Sequence, residues 1–179
     1  PRQTAQLLET LLKPYLAKPE TRTASRVALG SAWLLADNGP RALELAQQAA
    51  NDDPNSAAPA LLALDLLPRQ VVADALVRRY LEQPQAEPGV RLAYARTLGT
   101  MQRYGEAVQQ VELVTQSKPE LAPPWLMLGA LRLELRESAR AEAALQRYLE
   151  LVRDKGANAS EEGEEEAPDE ARQRGVTQA

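Results

Sequence analysis

The chain has 179 residues and a formal net charge of -4, so it lacks the basic field from which most nucleic-acid binders draw their affinity. It contains no Cys and no His, which removes disulfides, thiolate chemistry, the commonest general base and the commonest transition-metal ligand. Hydrophobic residues are 44%, mostly Leu, Ala and Val without any Phe, and no apolar run approaches a membrane span, so the composition points to a helical chain without direct membrane insertion.

Thr4 to Ala17 reads as an amphipathic helix, with Leu7, Leu8, Leu11, Leu12 and Tyr15 at helical spacing. Pro14 is expected to bend or end it, and Lys18-Pro19 closes it. It has the form of the second helix of a truncated hairpin. Thr23 to Pro54 reads as a full helical hairpin, turning at Asp37-Asn38-Gly39-Pro40, with Ala42, Ala46 and Ala49 on its second helix. Asn55 to Gln83 is less regular. Ser56 is placed to cap a helix over Ala57 to Leu67, and Pro68 suits the first turn of a following helix that carries Val72, Ala73, Leu76, Val77, Tyr80 and Leu81. A third hairpin turns at Met101 to Gly105. A fourth starts around Pro123-Pro124-Trp125, with a second helix from Ser138 to Val152. After Lys155 the composition changes to a Glu-rich run without large apolar side chains, which cannot offset its own ordering entropy and is expected to be disordered.

The third and fourth hairpins repeat at a fixed interval. Tyr94 to Leu128 is 34 positions, and so is Ala107 to Ala141. Thr23 to Pro54 is 31, whereas Pro54 to Pro88 and Pro88 to Ala122 are 34 each, so one loop is shorter or the register slips in the second repeat. A period of this length is the mark of a stacked solenoid.

On these residues the chain resembles the tetratricopeptide repeat family. Trp125, Leu128, Gly129, Ala141 and Leu145 carry the likeness in the fourth repeat; Ala95, Tyr104, Ala107, Val111 and Pro119 in the third; Leu29, Gly30, Trp33, Ala42, Ala46, Ala49 and Pro54 in the first. The second repeat keeps chiefly Ala73 and Val77. The fold implied is all-α, a superhelical solenoid of antiparallel hairpins. Its parts would be a partial hairpin over residues 1–19, an array of about four repeats over 20–153, and an acidic disordered tail over 154–179. Gly30, Ala95 and Gly129, with Ala42, Ala107 and Ala141 opposite, are expected to let paired helices touch. Trp33 and Trp125 are expected to be buried between helices, where a large aromatic contributes most.

No catalytic constellation is visible. Without His or Cys the common nucleophile–base pairs are missing, Asp52-Asp53 is better explained by capping, and Gly89 and Gly99 stand alone, so neither enzyme, cofactor nor metal site is expected. The resemblance implies instead a concave wall built from the first helix of each repeat, on which another protein or a peptide lies. The positions carried over are Val27, Ser31 and Leu34; Ala58, Leu62 and Asp65; Leu92, Arg96 and Gly99; and Leu126, Ala130 and Leu133. They lack the Lys, Asn and Arg with which chaperone-binding members hold a C-terminal carboxylate. The expected surface is mainly apolar, with Ser31, Leu62, Leu92, Leu126, Ala130 and Leu133, and a polar element at Asp65, Arg91 and Arg96.

Two other readings stand beside this scaffold. The chain starts at Pro1 and not Met, so it is expected to be a piece of a longer protein, and the half-hairpin and the uncovered Leu145, Leu149 and Val152 suit a structural or homo-oligomerising segment of a longer solenoid. The Ala-, Arg-, Gln- and Leu-rich composition is also similar to that of bacterial envelope repeat proteins, including periplasmic lipoprotein adaptors that present substrates to a protease; the alternative compartment is the cytoplasm.

Overall fold

The structure is a computed structural model that describes residues 1–165, with side chains described as far as Lys155. Among the described residues every regular element is helical. The chain divides into two compact units, Pro1–Ser117 and Lys118 onward.

The first unit contains α1 (Arg2–Ala17), α2 (Pro19–Leu35), α3 (Gly39–Asp52), α4 (Ala58–Leu66), α5 (Asp74–Leu81), α6 (Pro88–Thr100) and α7 (Tyr104–Ser117). Helices α2 and α3, α4 and α5, and α6 and α7 form three hairpins, and the first helices pack side by side, α2 on α4 and α4 on α6. The second unit is one further hairpin, α8 (Ala122–Glu134) against α9 (Ser138–Glu165). Proline opens each of the four first helices: Pro19, Pro59, Pro88 and Pro123 lie in the first turn, where a missing N–H costs no hydrogen bond.

Small side chains set the closeness of the hairpins. Ala42, Ala46, Ala49, Ala73, Ala107 and Ala141 are buried. A Cβ at Gly30 would overlap Leu62 Cδ2 and lie 3.4 Å from the Ala42 carbonyl oxygen. One at Gly129 would fall 2.6 Å from Leu145 Cγ and 3.4 Å from the Ala141 carbonyl oxygen. These are the approaches that the recurring Gly and Ala positions predict.

Three of the four hairpin turns share one geometry. The Asn38 N–H donates to the Trp33 carbonyl at 2.8 Å and the Asp37 N–H to the Leu34 carbonyl at 3.0 Å, which closes α2 with a Schellman pair. Arg103 and Gln102 repeat it on Leu98 and Gly99; Glu137 and Arg136 repeat it on Arg132 and Leu133. The central residues Asp37, Gln102 and Arg136 all have positive φ, 57°, 60° and 60°. The α4–α5 connection departs from this. Leu67 to Gln70 form a turn in which the Arg69 and Gln70 N–H groups both donate to Leu66 O, at 3.0 and 2.9 Å, and a short 3-10 segment, Val71–Ala73, precedes α5. Pro68 therefore lies in the turn and not in a helix, because the chain uses the extra residues to reach α5. The short interval of the array lies before this turn, between Thr23 and Pro54, where α3 ends and the chain passes to α4.

Two helix ends differ from the sequence reading. Pro14 lies inside α1 without ending it. The last carbonyls of α1 are held from α2: the Thr21 hydroxyl donates to Tyr15 O at 2.7 Å, and the Arg22 guanidinium donates to Leu16 O at 2.9 Å and Ala17 O at 3.2 Å. Helix α9 continues past Val152 to Glu165, into the segment expected to be disordered from residue 154. Ala and Glu are good helix formers, so the run extends a helix already nucleated by packing on α8. The remainder of that acidic segment, 166–179, lies outside the described residues.

Candidate protein-binding surface

Along the first-helix face of the first unit, Ser31 on α2, Asp65 on α4 and Arg96 on α6 are all exposed. Leu92 is half-buried. Leu62 is not on this face: it is 3% exposed and fills the space left by Gly30. Its neighbour Leu61, 44% exposed, takes the surface position. The one-residue error follows from the short interval before α4, which broke the spacing used to carry the position over.

Arg91 also leaves the face. Its guanidinium donates to Leu81 O at 2.7 Å and to Gln110 Oε1 at 2.8 Å, tying α6 to the C-terminal end of α5 and the middle of α7. Burial pushes its pKa below the ordinary arginine value. It works as an internal brace. Asp65 and Arg96, in contrast, make no side-chain hydrogen bond or ion pair among the described residues. The resulting face is less apolar than expected: Ser31 on α2 and Thr100 on α6 are exposed as well as Leu61 on α4.

The paired charges lie elsewhere. Arg22 and Arg26 reach Asp52, and Arg41 bridges Glu9 and Glu44 at 2.8 Å each. The densest group links α5, α6 and α7. The Tyr94 hydroxyl donates to Asp74 Oδ1 at 2.6 Å, Arg78 donates to Asp74 Oδ2 at 2.8 Å and to Glu106 Oε2 at 2.7 Å, and Arg103 forks onto Glu106 with two bonds of 2.7 Å. Burial opposes ionisation of Asp74, but the bonds from Tyr94 and Arg78 outweigh it and hold its carboxyl below the ordinary value. Arg103 holds Glu106 low in the same direction. Burial, then the Asp74 bond, pushes the Tyr94 hydroxyl well above the ordinary tyrosine range. Tyr94 is 1% exposed and the partners neutralise one another, so this group fastens hairpins together and offers no free charge for chemistry.

In the second unit Leu126 (44% exposed), Ala130 and Leu133 (53% exposed) share one exposed face of α8, as expected from their spacing of four and three. Leu128 and Gly129 turn to α9. Trp33 is buried, with no acceptor for its indole N–H among the described residues. Trp125 is only half-buried and donates its N–H to Pro119 O at 3.0 Å, so the expectation of a buried ring fails there: the carbonyl lies at the surface and draws the indole outward. Among the described residues no group of three or more acidic side chains could hold a metal ion, and no helix is long and apolar enough to cross a membrane.

No family model and no curated protein matches this chain. Solved structures do. MamA superimposes with a TM-score of 0.62 at 13% identity, covering 86% of this chain and 89% of that one. A second structure, MamA MSR-1, gives 0.56 at 18% identity over 74% and 78%. PilF of Pseudomonas aeruginosa gives 0.54 at 24% identity over 75% and 63%. MamA and PilF are tetratricopeptide repeat proteins. At these identities the likeness carries the fold: an all-α, tetratricopeptide-like solenoid of antiparallel helical hairpins.

Proposed function

We propose that the protein is a non-enzymatic docking module that holds another protein, or a peptide segment of one, on its first-helix face. The observation that carries this reading is the contrast in charge pairing. Arginine and acid pairs fasten one helix to the next, α2 to α3, α1 to α3 and α5 to α7, while Asp65 and Arg96, on neighbouring first helices, are exposed and unengaged among the described residues. Unpaired charges beside an exposed Leu61 suit a rim that selects a partner by charge around an apolar contact.

The test is charge reversal. Arg96→Glu and Asp65→Lys should leave the melting temperature within about 1 °C, as surface substitutions away from packed features do, and should weaken co-purification of the partner from the native host, most strongly together. Unchanged capture by the double variant removes this face from the binding site. The cell-envelope setting belongs to the same proposal, and the sequence of the gene upstream of Pro1 tests it: a leader with a lipid-attachment Cys supports it, and a cytoplasmic start refutes it.

A second reading, a structural or self-associating segment of a longer solenoid, is favoured by two uncovered apolar faces. Leu7, Leu11 and Tyr15 of α1 are 60%, 59% and 50% exposed, and Leu149 of α9 is 63% exposed. Light scattering across a hundredfold range of concentration distinguishes the two: a mass that stays at one chain throughout excludes self-association.

A further inference from the structure

The second helices of the first unit carry a groove of their own, on α3 and α5, that the first-helix reading does not use. It is open, with a volume of about 350 Å³, and is lined by Gln47, Asn51, Val72, Ala75, Leu76 and Arg79. Leu76 and Arg79 also line a smaller hollow that continues it. One end is apolar. Val72, on the 3-10 segment, lines it and is 70% exposed, and its neighbour Val71, outside the lining, is 66% exposed. They are not on a loose loop. The Gln70 side chain packs where a Cβ at Gly39 would lie, which pins the start of the segment to the start of α3. The other end is cationic. Arg79 donates to Asn51 Oδ1 at 2.9 Å, a neutral acceptor that fixes the guanidinium without cancelling its charge. Arg79 forms no ion pair among the described residues, and no carboxylate lines the groove.

We propose that this groove is a second docking surface, whose occupant is a segment of another protein with an apolar side chain for the Val72–Leu76 end and a carboxylate for Arg79. An anchored guanidinium fits a planar carboxylate bidentately and loses little side-chain freedom on binding, because Asn51 already orients it. From Val72 to Arg79 the floor is about 10 Å long at roughly 1.5 Å per helical residue. That length fits an apolar residue and an acidic one about three positions apart in an extended segment. A basic segment would meet like charge at Arg79 and is excluded by it. The irregular second repeat is the source of the site: a regular hairpin turn at this point would have no 3-10 segment to present Val71 and Val72.

Selection from a displayed library of random 12-residue peptides tests this. Enriched sequences should carry Asp or Glu at a fixed spacing from a large apolar residue. Their affinity should fall at least tenfold on Val72→Asp and at least fivefold on Arg79→Gln, and should weaken when salt is raised from 50 to 300 mM. Both positions are exposed, so circular dichroism and melting should match the parent chain. Selected peptides that bind both variants as well as the parent overturn the proposal, as does a selection that yields no binder. Peptides indifferent to both variants but sensitive to Arg96→Glu refute this groove while supporting the first-helix face, so the two readings fail separately.

Discussion

Replacing Gln102 by Gly should stabilise the first unit. Gln102 closes the α6–α7 turn with φ of 60°, a left-handed conformation in which its Cβ crowds the backbone. That crowding costs an L residue about 1–2 kcal/mol. Glycine escapes it but has more chain entropy to lose on folding, about 0.5–1 kcal/mol. The net expectation is a gain of about 0.5–1 kcal/mol, or roughly 2–5 °C in melting temperature for a unit of this size. Nothing else is lost, since Gln102 is exposed and its side chain makes no hydrogen bond among the described residues. The backbone bonds of the turn, Gln102 N–H to Gly99 O and Arg103 N–H to Leu98 O, are kept by any residue. The assay is urea unfolding followed by circular dichroism on Gly, Ala and Val variants. Ala retains the Cβ and should match Gln, whereas Val should be the least stable because branching worsens the crowding. If Gly is no more stable than Ala, the turn is not limited by its left-handed residue and the reasoning fails. The equivalent change in the second unit is Arg136→Gly, with the same sign expected.

Other perturbations follow from the packing and the charges. Gly30→Val should destabilise by at least about 2 kcal/mol, since its Cβ meets buried Leu62 on one side and the Ala42 backbone on the other; thermal unfolding checks it. Gly129→Ala should cost less, because Leu145 is half-buried and has room to move, and Leu145→Ala should rescue it. Tyr94→Phe should cost about 1.5–3 kcal/mol by denaturant unfolding, the range for a hydrogen bond to a charged group, here Asp74. Asp74 and Glu106 sit below their ordinary pKa values of 3.8 and 4.5, so their contribution is complete above those values and is lost as pH falls through the lower folded ones. Stability measured between pH 6 and pH 2.5 should therefore drop more steeply for the parent chain than for Asp74→Asn/Glu106→Gln; equal slopes would contradict the assignment.

The stacking was legible because its physics is periodic. Helices that touch need Ala or Gly at the crossing, and each hairpin needs the same crossing, so Ala42, Ala107, Ala141, Gly30 and Gly129 stand out without any structure. The surface was less legible, because a position on it depends on register. Where the interval before α4 shortened, the reading shifted by one residue and took buried Leu62 for exposed Leu61. Arg91 misled for a different reason. It occupies a position where the repeat pattern places a large packing residue, and a guanidinium on a long stem can pack there and still reach two acceptors, Leu81 O and Gln110 Oε1. Sequence shows the charge but not the acceptors. The α3–α5 groove had one signal, the Val71-Val72 pair beside an off-period turn, but its exposure depends on a 3-10 segment that periodicity does not describe.

Helix α1 shows where the repeat logic stops. Ala107 precedes Gly129 by 22 positions, and the residue 22 positions before Gly30 is Leu8. At that register α1 carries a half-buried leucine where α7 buries an alanine, and the fully buried alanine of α1 is Ala5. The helix is two-sided. One side packs on α2, with Ala5 fully buried, and Glu9 bridges to Arg41 at the start of α3 at 2.8 Å. The other exposes Leu7, Leu11 and Tyr15. Substitutions on the two sides should then diverge. Leu11→Lys should leave the melting temperature of the first unit nearly unchanged, since an already exposed side chain gives up little. Leu8→Asp should cost about 2–3 kcal/mol by forcing an unpaired charge against α2. Equal effects from the two, read by thermal unfolding of the full chain, would mean that α1 does not hold its place on α2 in solution.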